Sequence, residues 1–306
     1  MNTTGPMIAI SGTSHHGDNH VVVRKLLKYA QRCWSSVKPF YVRLDRRFAS
    51  VLKTTLECLS FLFMIFPIYV ISVKTYTDRH KHIALMAERY GLEIEFVWPF
   101  DVDDLSASDL SGVSDKLAPA SVSNVLKHLH AQKMLLHTDK SFALILEDDV
   151  ILFDDFLEKL AKVLKLSSEL EPGWLIFLGG ADNKIDSRFL HADELTLISA
   201  PLTTAEAYLV DRTSCAKRCE WLRHNKVDRQ ADHQLKLIDN LLQINQYCVS
   251  HPMATQGSVT GLFDTKLDSS RSKHGSTYLR LRYAYNRFRR QVAPRFWARF
   301  KKRVVG

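Results

Sequence analysis

Cysteine is scarce in this chain, and what there is forms no framework. The five cysteines (Cys33, Cys58, Cys215, Cys219 and Cys248) are odd in number, include no C-x-x-C and match no zinc spacing. That argues against a disulfide scaffold or a structural zinc module and for small buried residues in a reducing compartment. Cys215 and Cys219, four apart, fall on one face if their segment is helical. A membrane-spanning run is also missing. Leu59–Val73 falls short of the ~20 residues a spanning helix needs, and Ser60 and Pro67 interrupt it. Its second half, Ile68–Val73, is rich in β-branched residues and reads as a buried strand. The run lies too far from the start, behind too many charges, for an ordinary signal peptide; a short anchoring or interfacial segment at Leu56–Phe66 is the alternative. No internal repeat occurs. The stretch Ser11–Gly17 (SGTSHHG) lacks the spacing of a phosphate loop, and no clear strand precedes it, so it reads as a flexible end.

Acidic residues are nearly absent from both ends. Residues 1–60 carry nine Lys/Arg against Asp18, Asp45 and Glu57, and residues 266–306 carry thirteen against Asp268 alone. The centre, 61–265, has 20 basic and 29 acidic residues, so the overall +9 conceals an acidic middle between basic ends. An acidic middle suits a divalent cation; basic ends suit an anionic surface, either a membrane or nucleic acid. With 306 residues, 46% of them apolar, the chain can bury one full α/β core with appendages.

Residues 1–60 read as a basic, poorly defined extension. From Pro67 strands and helices alternate. A strand at Ile68–Val73 precedes a helix over about Thr77–Tyr90 closed by Gly91, then a strand at Glu93–Val97. After the Asp/Ser-rich loop Asp101–Asp115, Pro119 opens a helix to about His137, with Ser121 or Ser123 as its cap. The run Phe142–Leu146 ends at Glu147, Asp148 and Asp149; a helix at Asp154–Leu166 and a strand at Trp174–Leu178, closed by the turn Gly179-Gly180, follow. Such alternation predicts a mainly parallel sheet with helices on both faces. In the tail, Tyr278, Leu281, Tyr285, Phe288 and Val292 recur at helical spacing among arginines, and Phe296, Trp297, Phe300 and Val304 continue past Pro294. This predicts a basic amphipathic helix kinked or broken at the proline.

The strongest chemical signal is Ala143–Val150 (ALILEDDV), a dry strand delivering three consecutive carboxylates to its carboxyl end, where open α/β sheets bind ligands. Three adjacent acids repel one another unless a cation is present. Oxygen ligands of this kind suit Mg²⁺ or Mn²⁺, which also bind substrate phosphates. The alternative is an acidic strand end capping the next helix, with Asp149 near that helix's N-terminus.

Several further segments stand in an order that resembles glycosyltransferase family 25, the lipooligosaccharide galactosyltransferases. They are Pro67–Val73 with Asp78-Arg79, Gly91–Phe96 with the acidic loop Asp101–Asp104, Leu117–His128, Phe142–Val150, Thr203–Val210, Val227–His233 and Pro252–Ser258. The resemblance covers roughly residues 67–265, about two-thirds of the chain. Lys127 departs from it, standing where the family usually has serine before His128. The resemblance implies a GT-A-like single domain over 67–265, a nucleotide-sugar donor such as UDP-galactose, Mn²⁺ or Mg²⁺ on Asp149 and Asp148, and inversion at the anomeric carbon. It places Glu147, Asp148, His128 and Gln256 on the donor side, with Ser258 near it and Thr203, Thr204 and Tyr208 toward the acceptor; Tyr208, in an apolar strand, reads first as core, and Arg79 is a donor-side partner for a nucleotide phosphate or the acidic loop. Inversion in one displacement needs a base for the acceptor hydroxyl. Asp232 is expected in that role and Asp228 as a substrate contact, the two sharing a helix face at a spacing of four; two solvated acids near Arg229 is the other reading. His233 is a weaker base candidate. His128 either binds the donor diphosphate, orients the acids, or is an ordinary helix-surface residue. For Arg79 the alternative is a salt bridge to Asp78.

The function expected is transfer of a sugar onto a surface glycolipid. The enzyme would sit in the cytoplasm, peripheral on the inner face of the bacterial membrane, with residues 266–306 on anionic lipid. A helix docked on the domain's own acidic surface is the alternative for the tail. A phosphate hydrolase would need further His/Asp ligand motifs, and none occurs. A nucleic-acid-binding protein fits the tail, but not the acidic centre, so no nucleic acid is expected.

Overall fold

The computed structural model describes residues 66–183, 194–200, 202, 204–264, 275–297 and 300. The expected extension 1–60, the segment Leu56–Ile65, Cys33, Cys58, Thr203 and the last basic residues lie outside the described residues.

The strands are β1 (Ile68–Ile71), β2 (Glu95–Val97), β3 (Phe142–Glu147), β4 (Val150–Leu152), β5 (Trp174–Phe177), β6 (Leu197–Ser199), β7 (Ala207–Asp211), β8 (Asn245–Val249) and β9 (Ala254–Gln256). Seven form one sheet in the order β2-β1-β3-β7-β5-β8-β6, and β4 pairs with β9 in a separate two-stranded sheet. β1, β2 and β3 run parallel, as do β5 and β8; β7 and β6 run against their neighbours. The sheet is therefore mainly parallel, with two reversed strands. The helices are α1 (Thr77–Tyr90), α2 (Ala107–Ser111), α3 (Pro119–Leu136), α4 (Phe156–Ser167), α5 (Arg212–Leu222), α6 (Ala231–Leu242), α7 (Gly257–Thr260) and α8 (Ser276–Arg287).

Strands buried on both faces read as unbroken apolar runs, since alternate side chains feed two cores. In β3, Ala143 and Ile145 join one cluster with Val125, Leu129 and Leu135 of α3 and Leu235 of α6; Leu144 and Leu146 join another with Ile83 of α1 and Phe156 and Leu160 of α4. Each fully buried aliphatic side chain contributes about 1.5–3 kcal/mol relative to exposure. Between α5 and α6, Arg218 and Asp239 form an ion pair at 2.7 Å with both side chains wholly inaccessible. Gln132 accepts from the guanidinium and Gln246 donates to the carboxylate, so the charges are bonded as well as paired.

Three local expectations are corrected. Ser121 and Ser123 do not cap α3: Ala118 holds the N-cap position, and Pro119 starts the helix with φ already set for it, leaving both serines buried inside the first turns. Asp149 does not sit at a helix start, because β4 intervenes before α4 begins at Phe156. The tail does not break at Pro294. A π-helical turn over Phe288–Val292 changes the winding ahead of it, and helix resumes over 293–297. A proline that lacks its N–H fits after such a turn better than inside regular α-helix.

The tail packs on the domain through Leu279 and Gln291, both buried. Its partners include main-chain carbonyls: Gln291 donates to Gly180 and Asn183, Arg290 to Asp182 and Arg295 to Ser250, while Arg287 lies over the Phe153 ring. The apolar stripe stays outside, with Leu281 67%, Tyr285 62% and Trp297 59% exposed. Docking and an uncovered apolar face thus coexist.

Candidate active site

β3 delivers Glu147 to the carboxyl edge of the sheet, and the chain turns through Asp148 and Asp149 into β4. The backbone fixes the turn: Glu147 N–H donates to Glu206 O and Asp148 N–H to Ile71 O, each at 3.0 Å. Pairing of Val150 with Gln256 brings the β9–α7 segment alongside. There Gly257 N–H donates to Asp149 O at 2.7 Å, and a Cβ on Gly257 would collide with that oxygen and with the Phe263 ring. Glycine is required for so close an approach.

The three carboxylates have different surroundings. Asp148 is neutralised: Oδ1 accepts from Arg79 at 2.8 Å and Oδ2 from Ser72 at 2.6 Å. Arg79 also donates to Asp264 O and lies against the rings of Tyr76 and Phe263. It does not pair with Asp78, whose partner is Lys81. Glu147 accepts from His128 and Asn124 on Oε1, each at 3.4 Å, and from Gln256 on Oε2 at 2.7 Å. Burial works to raise its pKa, but the hydrogen bonds and the imidazole beside it outweigh burial and hold it below the ordinary value. Asp149 accepts from Ser258 N–H at 3.0 Å through Oδ2, and no described residue bonds its Oδ1. Burial, then repulsion from Glu147, push its pKa up to about 6, against the opposing pull of Arg79.

His128 is not a helix-surface residue. It is fully buried, with Nδ1 at 3.0 Å from the Tyr208 hydroxyl and Nε2 toward Glu147. Tyr208 is core, and also fixes that imidazole. Lys127 is buried one residue earlier; its ammonium lies 2.8 Å from Asp101 and donates to the carbonyls of Val97 and Trp98. The residue that departs from the family pattern therefore ties α3 to the acidic loop beyond β2.

Asp228 and Asp232 do not share a helix face. α6 begins at Ala231, so Asp228 lies in the preceding loop, paired with Arg229 at 3.3 Å. Gln234 occupies the space inside that loop by accepting the N–H groups of Asp228 and Arg229. A bridge between Val113 and Val227 ties the loop to the segment that follows α2. Among the described residues no hydrogen bond or ion pair joins either acid to Glu147, Asp148 or Asp149. His233 is exposed.

Glu206 was not legible as a site residue. It is buried in the turn before β7, and burial pushes its pKa up to about 8. Its Oε1 accepts from Gly180 N–H at 2.5 Å. The signal present in the sequence, an acid in an otherwise small and apolar run before Tyr208, does not distinguish a buried carboxyl from a solvated one.

No group of three or more His, Cys, Asp or Glu side chains among the described residues is arranged to hold a metal ion. With Asp148 taken up by Arg79 and Ser72, the oxygen open to a cation is on Asp149, beside Glu147. One or two carboxylates completed by substrate phosphates and water is a shell Mg²⁺ accepts.

Fold and site together define an α/β protein with a buried carboxylate turn at the ligand-binding edge of its sheet. The model of glycosyltransferase family 25 (LPS biosynthesis protein) matches residues 65–196, from β1 through the carboxylate turn and β5. No curated protein matches the chain. Among solved structures, the inositol-1-phosphate CTP transferase from T. maritima matches at 8% identity and TM-score 0.29, over 76% of this chain and 82% of that one. That likeness is too slight to bear on fold or function.

Proposed function

We propose that the chain is a glycosyltransferase of lipopolysaccharide or lipooligosaccharide biosynthesis, moving a sugar from a nucleotide-sugar donor, UDP-galactose, onto a glycolipid acceptor. The observation that carries this reading is the carboxylate turn Glu147–Asp149 at the carboxyl edge of the sheet, inside the segment that matches the family model. Asp149, the acid whose charge is least compensated, would hold Mg²⁺ or Mn²⁺ with Glu147 beside it. The cation, when bound, neutralises charge on the departing diphosphate. Glu147 is kept ionised and oriented by His128, Asn124 and Gln256. Arg79 shields Asp148, so that two rather than three negative charges face the donor.

Asp232 would take the proton from the acceptor hydroxyl, with inversion at the anomeric carbon, and Asp228 would contact substrate. The exposed stripe Tyr278, Leu281, Tyr285 and Phe288 would lie in the headgroup region of an anionic membrane, with the tail's arginines on phosphate. Among the described residues no helix is long and apolar enough to cross a membrane.

The test is a panel of nucleotide sugars incubated with the purified chain and Mn²⁺, following release of the nucleoside diphosphate. UDP-galactose is expected to turn over. Failure of every donor, with and without lipopolysaccharide acceptor, sinks the reading.

A further inference from the structure

Beside the carboxylate turn lies a polar cavity of about 240 Å³ with no part in the steps described so far. Thr204 and Glu206 from the turn before β7, Gln256 at the end of β9, and Arg282 and Tyr283 from α8 are among its wall residues. Two of these hold buried polar atoms with no hydrogen-bond partner among the described residues: Glu206 Oε2 and Tyr283 Oη. Glu206 has little freedom to find a partner elsewhere, since Oε1 is bonded to Gly180 N–H and its chain rests against Gly179, where even a methyl group would collide with it. Buried polar atoms rarely go unbonded, and each such atom costs about 1–3 kcal/mol. Two such atoms on residues that line one small cavity mark the place where a hydroxylated ligand completes the bonding.

Charge and position narrow the ligand. Arg282 and Arg290 both line this wall, and the carboxyl groups that line it with them are those of Asp182 and the buried Glu206. Arg290 is already bonded to the Asp182 carbonyl at 3.0 Å, whereas Arg282 has no ion-pair partner among the described residues. Gln256 connects the cavity to the reaction centre, because its amide donates to Glu147 at 2.7 Å while the residue lines the wall. A ligand here sits next to the turn assigned to the donor. The volume is below that of drug-sized pockets and suits one ring rather than an extended chain.

We propose that this cavity is the subsite for the acceptor's terminal sugar and that this sugar is acidic, with Glu206 and Tyr283 bonded to ring hydroxyls and Arg282 meeting the carboxylate or phosphate. The inference rests on the glycosyltransferase reading and gives α8 a task its exposed stripe does not: closing the acceptor side of the site.

The experiment titrates methyl β-D-glucuronide and methyl β-D-glucoside into the full chain, without donor, by ligand-observed NMR. Saturable binding of the glucuronide, tighter than that of the glucoside, is expected. Tyr283→Phe should weaken it about three- to tenfold, the worth of one hydrogen bond, and Arg282→Ala about tenfold or more. The Tyr283 hydroxyl has no hydrogen-bond partner among the described residues, so Tyr283→Phe should leave the melting temperature in place, and a loss of binding reads as lost contact. Glucoside binding as tight as glucuronide binding, variants that bind like the parent, or a parent that binds neither sugar would each overturn the proposal. A chain that hydrolyses donors but ignores both sugars loses the subsite alone. A chain that binds the glucuronide through these residues but turns over no nucleotide sugar keeps an acidic-sugar site and loses the transferase reading.

Discussion

Replacing Glu206 by glutamine should change how stability depends on pH. Burial moves the Glu206 pKa from the ordinary 4.5 to about 8. Below pH 4.5 the carboxyl is protonated folded or unfolded, and it sets no pH dependence. As pH rises from there, the unfolded chain releases the proton while the folded chain retains it, so the unfolded state gains and stability falls until the folded group also ionises near 8. At 1.36 kcal/mol per pKa unit, the full displacement corresponds to about 5 kcal/mol, and the interval from pH 5.5 to 7.5 to roughly 3 kcal/mol. Glutamine cannot titrate, is nearly isosteric, and retains the oxygen that accepts from Gly180 N–H. The assay is urea unfolding of both proteins in EDTA at pH 5.5, 6.5 and 7.5, read by far-ultraviolet circular dichroism. Other titrating groups cancel in the difference between the two curves. That difference should shift by roughly 3 kcal/mol in favour of Glu206→Gln across the interval. A constant difference would refute the claim that the folded state holds this carboxyl protonated at neutral pH.

Four further outcomes follow from the geometry. Turnover should disappear in excess EDTA and in Asp149→Ala, with the melting temperature within a few degrees of the parent; full activity in EDTA would exclude a metal-dependent step. Asp232→Asn should lower kcat by about 10²–10⁴-fold with little change in donor binding, as loss of a general base does, and a dead Asp228→Asn beside an active Asp232→Asn would reverse the two roles. Asp239→Ala strands the buried Arg218 guanidinium and should cost about 3–5 kcal/mol in urea unfolding; a cost below 1 kcal/mol would mean that water reaches the pair. Leu281→Glu combined with Phe288→Glu should abolish co-flotation with anionic vesicles while sparing turnover of soluble donor, and flotation that persists would remove the stripe as the membrane contact.

Period and punctuation made much of the scaffold legible. Gly91, left-handed at φ 62°, closes α1 where its position after Tyr90 predicts, and the run Phe142–Leu146 is a strand buried on both faces because every side chain in it is apolar. The carboxylate triplet could be read because it is contiguous, so the strand alone sets its place at the sheet edge. What differs among the three acids was not legible, since it comes from partners far away in the chain. Arg79 is 69 residues from Asp148, and Gln256 and Ser258 are each 109 from the acids they bond. Spacing misled at Asp228 and Asp232, where a four-residue interval implies one helix face only if both residues are helical, and the helix starts at Ala231. Glu206, Tyr283 and Arg282 belong to segments separated by more than 70 residues, and nothing local relates them. Composition and local periodicity determine which segments become strands and helices, because those depend on neighbours within a turn or two. Which carboxyl is neutralised, which is protonated, and which polar atoms are left for a ligand depend on burial and on groups brought in by the folded chain, and only the tertiary structure decides them.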